Sequence, residues 1–409
     1  MRFKISSGKL VEGLRSAVEV ATKNVNTEFE SSFHITLDIR KSEIIALAHG
    51  GTACISSAIS GDNIDSLNYS CEEEGEVTIN ASDFFASLSS FPPSQKVSIV
   101  KNNGEIVISS ENEKDIFQTL PVLKNRVNVS SLPTSFEKEM KINREVFIEG
   151  LDKVHFAIGF AETTPYYLCI YFETSKDKAR FAAGTGARFA ISDTEGKNII
   201  QTSKKQSVLF PKNNISTIIN VLKVDSSTDI SIKEAKQTKN SPEQIVIQSE
   251  EITLVLLGID SSLKYSDVSK ILKHSYSYKI VSNISDWKYS MQGISATYND
   301  EMKSGKMIPI TNVSIDSKKK KLIMETKGQM KAKRQVSVDD ISKNGDEDIP
   351  SFKCNSLYLK EVADKGEKSE KVVLEFDTDQ TPVTARFADR VNDSKNTVDK
   401  FSIFFVKNK

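Results

Sequence analysis

Residues 3–21 read FKISSGKLVEGLRSAVEVA, and this stretch decides the fold. Phe3 and Ile5 alternate with Arg2 and Lys4, the period of a half-buried strand. Ser6 and Ser7 follow, with hydroxyls able to accept hydrogen bonds from the free N–H groups of a helix start. Leu10, Val11, Leu14, Ala17, Val18 and Ala21 then recur at helical spacing, and Lys9, Glu12, Arg15 and Lys23 mark the other face. Three alternating runs come next: HITLDIR from His34, EIIALAH from Glu43 and TACISSAI from Thr52. The same order recurs as VTINASDFFASL from Val77, MKINREVFIEGLDKVHFAI from Met140, VLFPKNNISTIINVL from Val208, YKIVSNISDWKYSMQGI from Tyr278 and FKCNSLYLKEVA from Phe352. Successive starts lie 74, 63, 68, 70 and 74 residues apart. A near-constant period means one structural unit repeated, here six times.

Working outward from the repeat, Asn80, Asn143, Ser282 and Asn355 stand where the later helices need caps, and Pro211 stands near a helix start, where its missing N–H costs nothing. Asn102-Asn103-Gly104 between VSIV and EIVIS signals a hairpin, and Lys318 to Lys321 fall where another turn belongs. Linker-like stretches at Val129–Ser135 and around Asp260–Lys270 follow the second and fourth units, while Lys343–Pro350 reads as a loop. The units therefore pair into three expected domains, 1–130, 131–270 and 271–409. The expected class is α+β, each domain a pseudo-twofold pair of β-α-β-β-β units with short helices packed on sheets.

The 55 Lys and Arg balance 55 Asp and Glu, so any nucleic-acid contact must come from local segregation of charge. Cys54, Cys71, Cys169 and Cys354 form no CxxC pair and lie in or beside apolar strand patterns, which reads as reduced, buried thiols. No apolar run approaches membrane-spanning length and the N-terminal stretch has no signal-peptide pattern, so a cytoplasmic protein without membrane contact is expected. His34, His49, His155 and His274 show no metalloprotease spacing, and there is no GxSxG or P-loop. Gly184-Thr185-Gly186 reads as a tight strand connection needing positive φ. Glu72-Glu73-Glu74 lacks the alternation of a calcium loop. No catalytic residue, cofactor or metal is expected.

Two further stretches carry a family resemblance. TPYYLCIYFET and GTGARFAI resemble the R-Y-Y-L-N-G-x-x-F-E and T-D-G-H-R-L-A motifs of the bacterial DNA polymerase III beta subunit, the beta sliding clamp; the matches are Tyr166, Tyr167, Leu168, Phe172, Glu173, Gly186, Arg188 and Ala190. Asn355, Tyr358, Leu359 and Val362 match that family's N-x-x-Y-L-x-x-V, and Thr119-Leu120-Pro121 its S/T-L-P. The order holds along the whole chain. The departures are Thr185, Ala187 and Phe189 for the family's Asp, His and Leu, Leu263–Asp267 for its Phe-Pro-Asp-Tyr-Arg, and Phe404-Phe405-Val406 for its Met-Pro-Met. They cluster around the family's partner cleft and mark a divergent member.

The resemblance implies a head-to-tail homodimer closing a ring of pseudo-sixfold symmetry, which encircles duplex DNA without reading its sequence. Helix-borne Lys9, Arg15, Lys23, Arg144, Lys153, Lys212, Lys223, Lys288 and Lys365 would face the DNA, with Tyr166 and Tyr167 on a contact loop. Asn24, Ser82 and Glu162 replace the family's Arg, Arg and Gln, which implies weaker contact there. Partners implied are a DNA polymerase and clamp-loader subunits, whose short apolar peptides would enter a cleft of Leu168, Gly186, Arg188, Phe189, Asn355, Tyr358, Pro382, Ile403, Phe404, Phe405 and Val406. Without the family, FSIFFV is a last core strand. Two other readings compete: a β-rich repeat scaffold or adhesin that never encircles DNA, and an enzyme with scattered catalytic residues. Inner helix faces richer in Lys and Arg than the rest of the surface would favour the clamp, and converging carboxylates in a polar cleft would favour the enzyme.

Overall fold

The computed structural model of the chain describes residues 1–23, 33–60, 68–113, 115–127, 135–159, 164–196, 199, 204–235, 243–258, 265, 272–298, 307–326, 331–344, 348–367, 370–378, 382–387, 390–392 and 397–407. All six repeats are present as a strand, a helix and further strands. The first two are β1 (Arg2–Ser6), α1 (Ser7–Thr22), β2 (His34–Ile39), β3 (Ile44–His49) and β4 (Ala53–Ile59), then β5 (Ser70–Glu73), β6 (Gly75–Asn80), α2 (Ala81–Ser89), β7 (Lys96–Asn102), β8 (Glu105–Ser110) and β9 (Phe117–Pro121). The next two are β10 (Lys138–Asn143), α3 (Arg144–His155), a 3-10 turn at Pro165–Leu168, β11 (Cys169–Ser175), β12 (Lys178–Gly184) and β13 (Arg188–Gly196), then β14 (Gln206–Pro211), α4 (Lys212–Val224), β15 (Asp229–Ala235), β16 (Gln244–Gln248) and β17 (Ile252–Leu257). The last two are β18 (Tyr278–Asn283), α5 (Ile284–Ser295), β19 (Ile310–Asp316), β20 (Lys321–Thr326) and β21 (Lys333–Lys343), then β22 (Phe352–Asn355), α6 (Ser356–Lys365), β23 (Lys371–Phe376), β24 (Val383–Phe387), β25 (Arg390–Asn392) and β26 (Thr397–Phe405). Among the described residues, the strands outside the repeat are β5, which pairs with β1, and β25, which pairs with β26.

The chain forms two compact units. One comprises 1–151, 174–176 and 200–263; the other 152–173, 177–199 and 264–409. The expected first and third domains fall inside one unit each. The expected middle domain is shared between them. Both expected linkers lie outside the described residues, apart from Ser135 and Tyr265.

In the first unit the order β10-β15-β16-β17-β4-β3-β2-β6 forms one antiparallel sheet and β5-β1-β7-β8-β9 another. The first sheet crosses from the second repeat pair to the first where β17 pairs with β4, Val255 opposite Cys54 and Leu254 opposite Ile55. Alternation explains the core: Phe3, Ile5, Leu10, Leu14, Ala17 and Ala21 are fully buried, as are Phe84 and Leu88 of α2. Asn103–Gly104 turns β7 into β8, with Gly104 at φ +91°, where glycine has no Cβ to clash.

The caps divide by chemistry. Asn80 accepts from Asp83 N–H, Asn143 from Val146 N–H and Asn355 from Leu357 N–H, as expected. Ser6 and Ser7 do not cap α1; their hydroxyls donate to the carbonyls of Pro93 and Pro92 and tie the helix start to the loop before β7. Ser282 is also displaced from the role: Asn283 precedes α5, and the buried Ser282 hydroxyl accepts from the Trp287 indole at 2.7 Å. Cys54, Cys169 and Cys354 are buried free thiols, and Cys71 is half-buried.

Arg144 opens α3 and donates to Leu222 O at 2.7 Å and to Asp225 O, the carbonyls at the end of α4. A cation there complements the negative helix end. Arg144→Ala is expected to cost about 2 kcal/mol in urea unfolding, the range of a charge-assisted bond, and to leave DNA affinity unchanged.

In the second unit strands follow the order β11-β12-β13-β26-β24-β23-β18-β21-β20-β19-β22. The second crossing between repeat pairs is β13 with β26, nine residue pairs from Arg188 opposite Phe405 to Gly196 opposite Thr397. A charged lattice lies over it. Asp193 takes both forks of Arg180 at 2.7 Å and Lys178 at 3.1 Å; Glu195 bridges Lys178 and Lys400.

Candidate functional site

The β12–β13 connection bends sharply. Thr185 N–H donates to Arg188 O at 2.7 Å, and Ala187 N–H to the Thr185 hydroxyl. Gly184 is not at positive φ, contrary to the expectation. Glycine is required there because a Cβ would sit 2.5 Å from Arg188 O and 2.4 Å from the Phe189 ring. At Gly186 a Cβ would meet only the Tyr167 hydroxyl, at 3.8 Å.

This connection borders a groove of about 810 Å³ in the second unit. Thr185, Ala187 and Arg188 form one side; Asn355, Leu357, Tyr358 and Glu361 form the other; Phe156 and Ile158, beyond the end of α3, close it. Arg188 crosses the groove. Its guanidinium pairs with Glu361, donates to Phe156 O at 2.9 Å and lies over the Tyr358 ring, 5.8 Å from its centroid. Tyr358 and Glu361 stand three apart on α6, so both reach the same face.

Of the expected cleft residues, Arg188, Asn355 and Tyr358 line this groove. Gly186 is exposed on the adjoining turn, and Leu168 ends the 3-10 turn, half-buried. Phe189 is half-buried, 6.4 Å from the Tyr167 ring. Pro382 precedes β24, and Val406 N–H donates to Ala187 O. The side chains of Ile403, Phe404 and Phe405 are 1%, 1% and 0% exposed, so this strand is core below the site rather than an open apolar wall. Phe404 packs with Ala182 and Ile191, and Phe405 lies 5.9 Å from the Tyr358 ring.

Sequence reasoning gave two residues no role at the site. Tyr265 covers the Phe404 cluster, stacked on Tyr171 at 5.0 Å and meeting Tyr166 edge-on at 5.8 Å. The sequence reached it only inside the Leu263–Asp267 stretch, as a departure from the family motif, and its role was hidden because its partners are some 90 residues or more away. Glu361 could have been found from its spacing to Tyr358. Burial pushes its carboxyl up to about 7 despite Arg188.

Glu361 therefore binds its proton more tightly folded than unfolded. Its stabilising contribution is complete below the ordinary value of 4.5 and is lost as pH rises through about 7. Stability is expected to fall across that window by on the order of 3 kcal/mol, and Glu361→Gln to flatten the fall, read from urea midpoints at both ends.

The candidate DNA residues divide. In the first unit Arg15 and Lys223 are exposed, Lys9 is exposed 3.6 Å from Glu12, Lys23 pairs with Glu19 at 2.5 Å, and Lys212 is half-buried. Arg144 is occupied by the α4 carbonyls, as described. In the second unit Lys288 is half-buried on α5. Lys153 pairs with Asp399 at 3.0 Å, and Asp399 also accepts from Thr194. Lys365 donates to Asp152 O and lies over Phe156. Arg144, Lys153 and Lys365 thus do structural work that spacing cannot show. Tyr166 and Tyr167 are half-buried, their rings edge-to-face at 4.6 Å. Asn24 and Glu162 lie outside the described residues; Ser82 is exposed on α2. Among the described residues no cluster of His, Cys, Asp and Glu could hold a metal, and no helix is long and apolar enough to cross a membrane.

Solved structures share this architecture over its full length. A putative DNA polymerase III beta subunit from Eubacterium rectale is 17% identical, with all of this chain and 99% of that one aligned at a TM-score of 0.76. The DNA polymerase sliding clamp of Bacillus subtilis is 13% identical over the same shares, TM-score 0.77. A sliding clamp from Pseudomonas aeruginosa, bound to griselimycin, is 14% identical over the same shares, TM-score 0.79. The chain thus has the fold of the DNA sliding clamps. No curated protein sequence matches it. Residues 141–260 match the family model for the DNA polymerase III beta subunit, central domain.

Proposed function

We propose that this chain is a DNA sliding clamp, a non-enzymatic processivity factor built of three clamp domains, 1–130, 131–270 and 271–409. The observation that carries the reading is the way last strands of repeats pair. β4 ends the first repeat and pairs with β17, which ends the fourth. β13 ends the third and pairs with β26, which ends the sixth. By the same rule β9, ending the second, is left to pair with β21, ending the fifth, of a second copy of the chain; within its own chain β21 pairs with β20 through 333–337 and with β18 through 338–343. β9 is a sheet edge, and beside it Ile116 and Phe117 are 48% and 60% exposed. On the side of β21 away from β20, Ser337 N–H donates to Asp286 and Gln335 O accepts from Ser290, so the junction exchanges these α5 bonds for bonds to β9. Two such junctions close a head-to-tail dimer and remove every exposed edge at them.

A closed ring holds duplex DNA by topology. The exposed cations Lys9, Arg15 and Lys223 supply a sequence-blind surface toward the phosphates. The groove at Arg188, Tyr358 and Glu361 tethers a polymerase or clamp-loader subunit through a short peptide, which makes later encounters intramolecular and raises avidity by roughly 10²–10⁴. Such a protein works on the nucleoid, in the cytoplasm. The test assembles the chain with covalently closed circular DNA, crosslinks cysteines introduced in β9 and β21, and washes with high salt. Retention on the circle and release on linearisation are expected; equal retention on both forms would sink the reading.

A further inference from the structure

Residues 303–334 hold ten Lys or Arg and two Asp or Glu, in a chain of formal net charge zero. Four of the ten are consecutive, Lys318 to Lys321, at the connection of β19 and β20. We infer that this hairpin tip is a second nucleic-acid contact, separate from the helix faces, that grips phosphates of the duplex.

Three observations carry it. The tip is costly by its own chemistry. Lys320 sits at φ +49°, a conformation that favours Gly, Asn or Asp, and the comparable turns of this chain use Gly104 and Asp177. Consecutive like charges repel, and a solvated turn needs none of them. The cations are also poorly compensated. Lys318 and Lys320 are exposed with no ionic partner among the described residues. Lys319 is 81% exposed, 3.7 Å from Asp316. Lys321 bonds a hydroxyl, Ser337, at 2.9 Å. The exposed acids next along β21 are Asp339, already 3.5 Å from Lys371, and Asp340, which accepts from Ser342. Finally, the tip is held in place. Val338 N–H donates to Lys320 O at 3.0 Å, and Asp316 accepts from Lys319 N–H, so little order remains to be lost on binding.

The nature of the partner rests on the clamp reading; the basic tip does not. The test measures binding of the full chain to a short fluorescent duplex across a potassium chloride series. Compared are wild type, the triple variant Lys318→Ser/Lys319→Ser/Lys320→Ser, its Lys→Arg counterpart, and Lys9→Ser/Arg15→Ser/Lys223→Ser. Each phosphate contact contributes about 0.9 to the slope of log K against log salt, so the tip variant is expected to lose roughly 2 to 3 from that slope. The Arg counterpart should keep it. An unchanged slope in the tip variant overturns the inference. If the helix variant alone then loses slope, the clamp reading stands without the tip; if neither does, both fall. An unchanged DNA slope with lost affinity for a soluble acidic polypeptide places a protein there instead, and also overturns it.

Discussion

Gly184→Ala is expected to destabilise the protein by about 3 kcal/mol or more and to abolish peptide binding at the groove. The added Cβ has nowhere to go: 2.5 Å from a backbone oxygen and 2.4 Å from a ring carbon are both below any real contact. Relief requires opening the connection that carries Arg188 and Phe189. Arg188 would then leave Glu361 and Phe156 O, and the groove would lose the side chain that spans it. Gly186→Ala, two residues on, is the matched control, because its Cβ meets only the Tyr167 hydroxyl at 3.8 Å. It should change stability by no more than about 0.5 kcal/mol. Thermal unfolding of the two variants separates close packing from a general need for glycine flexibility.

The second large effect is expected at Arg180. Its guanidinium meets both oxygens of Asp193 in parallel at 2.7 Å, with side-chain exposures of 17% and 9%. The Asp193 bonds hold the Arg180 charge firmly in place despite burial. Arg180→Met strands a buried carboxylate, a change costing about 3–5 kcal/mol. Lys178, 3.1 Å from the same carboxylate, offsets part, which places the expected loss near the lower end. Removing Asp193 as well, with Asp193→Leu, should recover most of it, because the cost lies in the orphaned charge. Urea midpoints of the single and double variants decide this. Asp193 stands opposite Lys400 in the β13–β26 pairing, so the damage would fall on the second sheet crossing.

The repeat was legible because periodicity reports which face of an element is buried, and the six starts at Phe3, Val77, Met140, Val208, Tyr278 and Phe352 all fall inside first strands. Asn80, Asn143 and Asn355 were legible for a local reason: a cap bonds within three residues of itself. Ser6 and Ser7 carry the same chemistry but found carbonyls about 85 residues away, which no local pattern encodes. The same limit hid the fates of Arg144 and Lys153, whose partners Leu222 and Asp399 are 78 and 246 residues distant. FSIFFV reads as core by composition and is core; its place beneath the groove depends on the β13 register. Arg188, Asn355 and Tyr358 came from the family motifs, Tyr265 lay in a stretch that departs from them, and Glu361 fell between them. The charge of Lys318 to Lys321 was visible from the start, but its weight appears only with the left-handed Lys320 and the missing carboxylates.

The central claim is that two chains close one ring. Sedimentation equilibrium over a concentration series tests it most directly. The pairing rule for last strands predicts a species of twice the 45.5 kDa chain mass. A single species at 45.5 kDa at every accessible concentration would contradict it, leaving the β9 edge without the partner that the repeat assigns it.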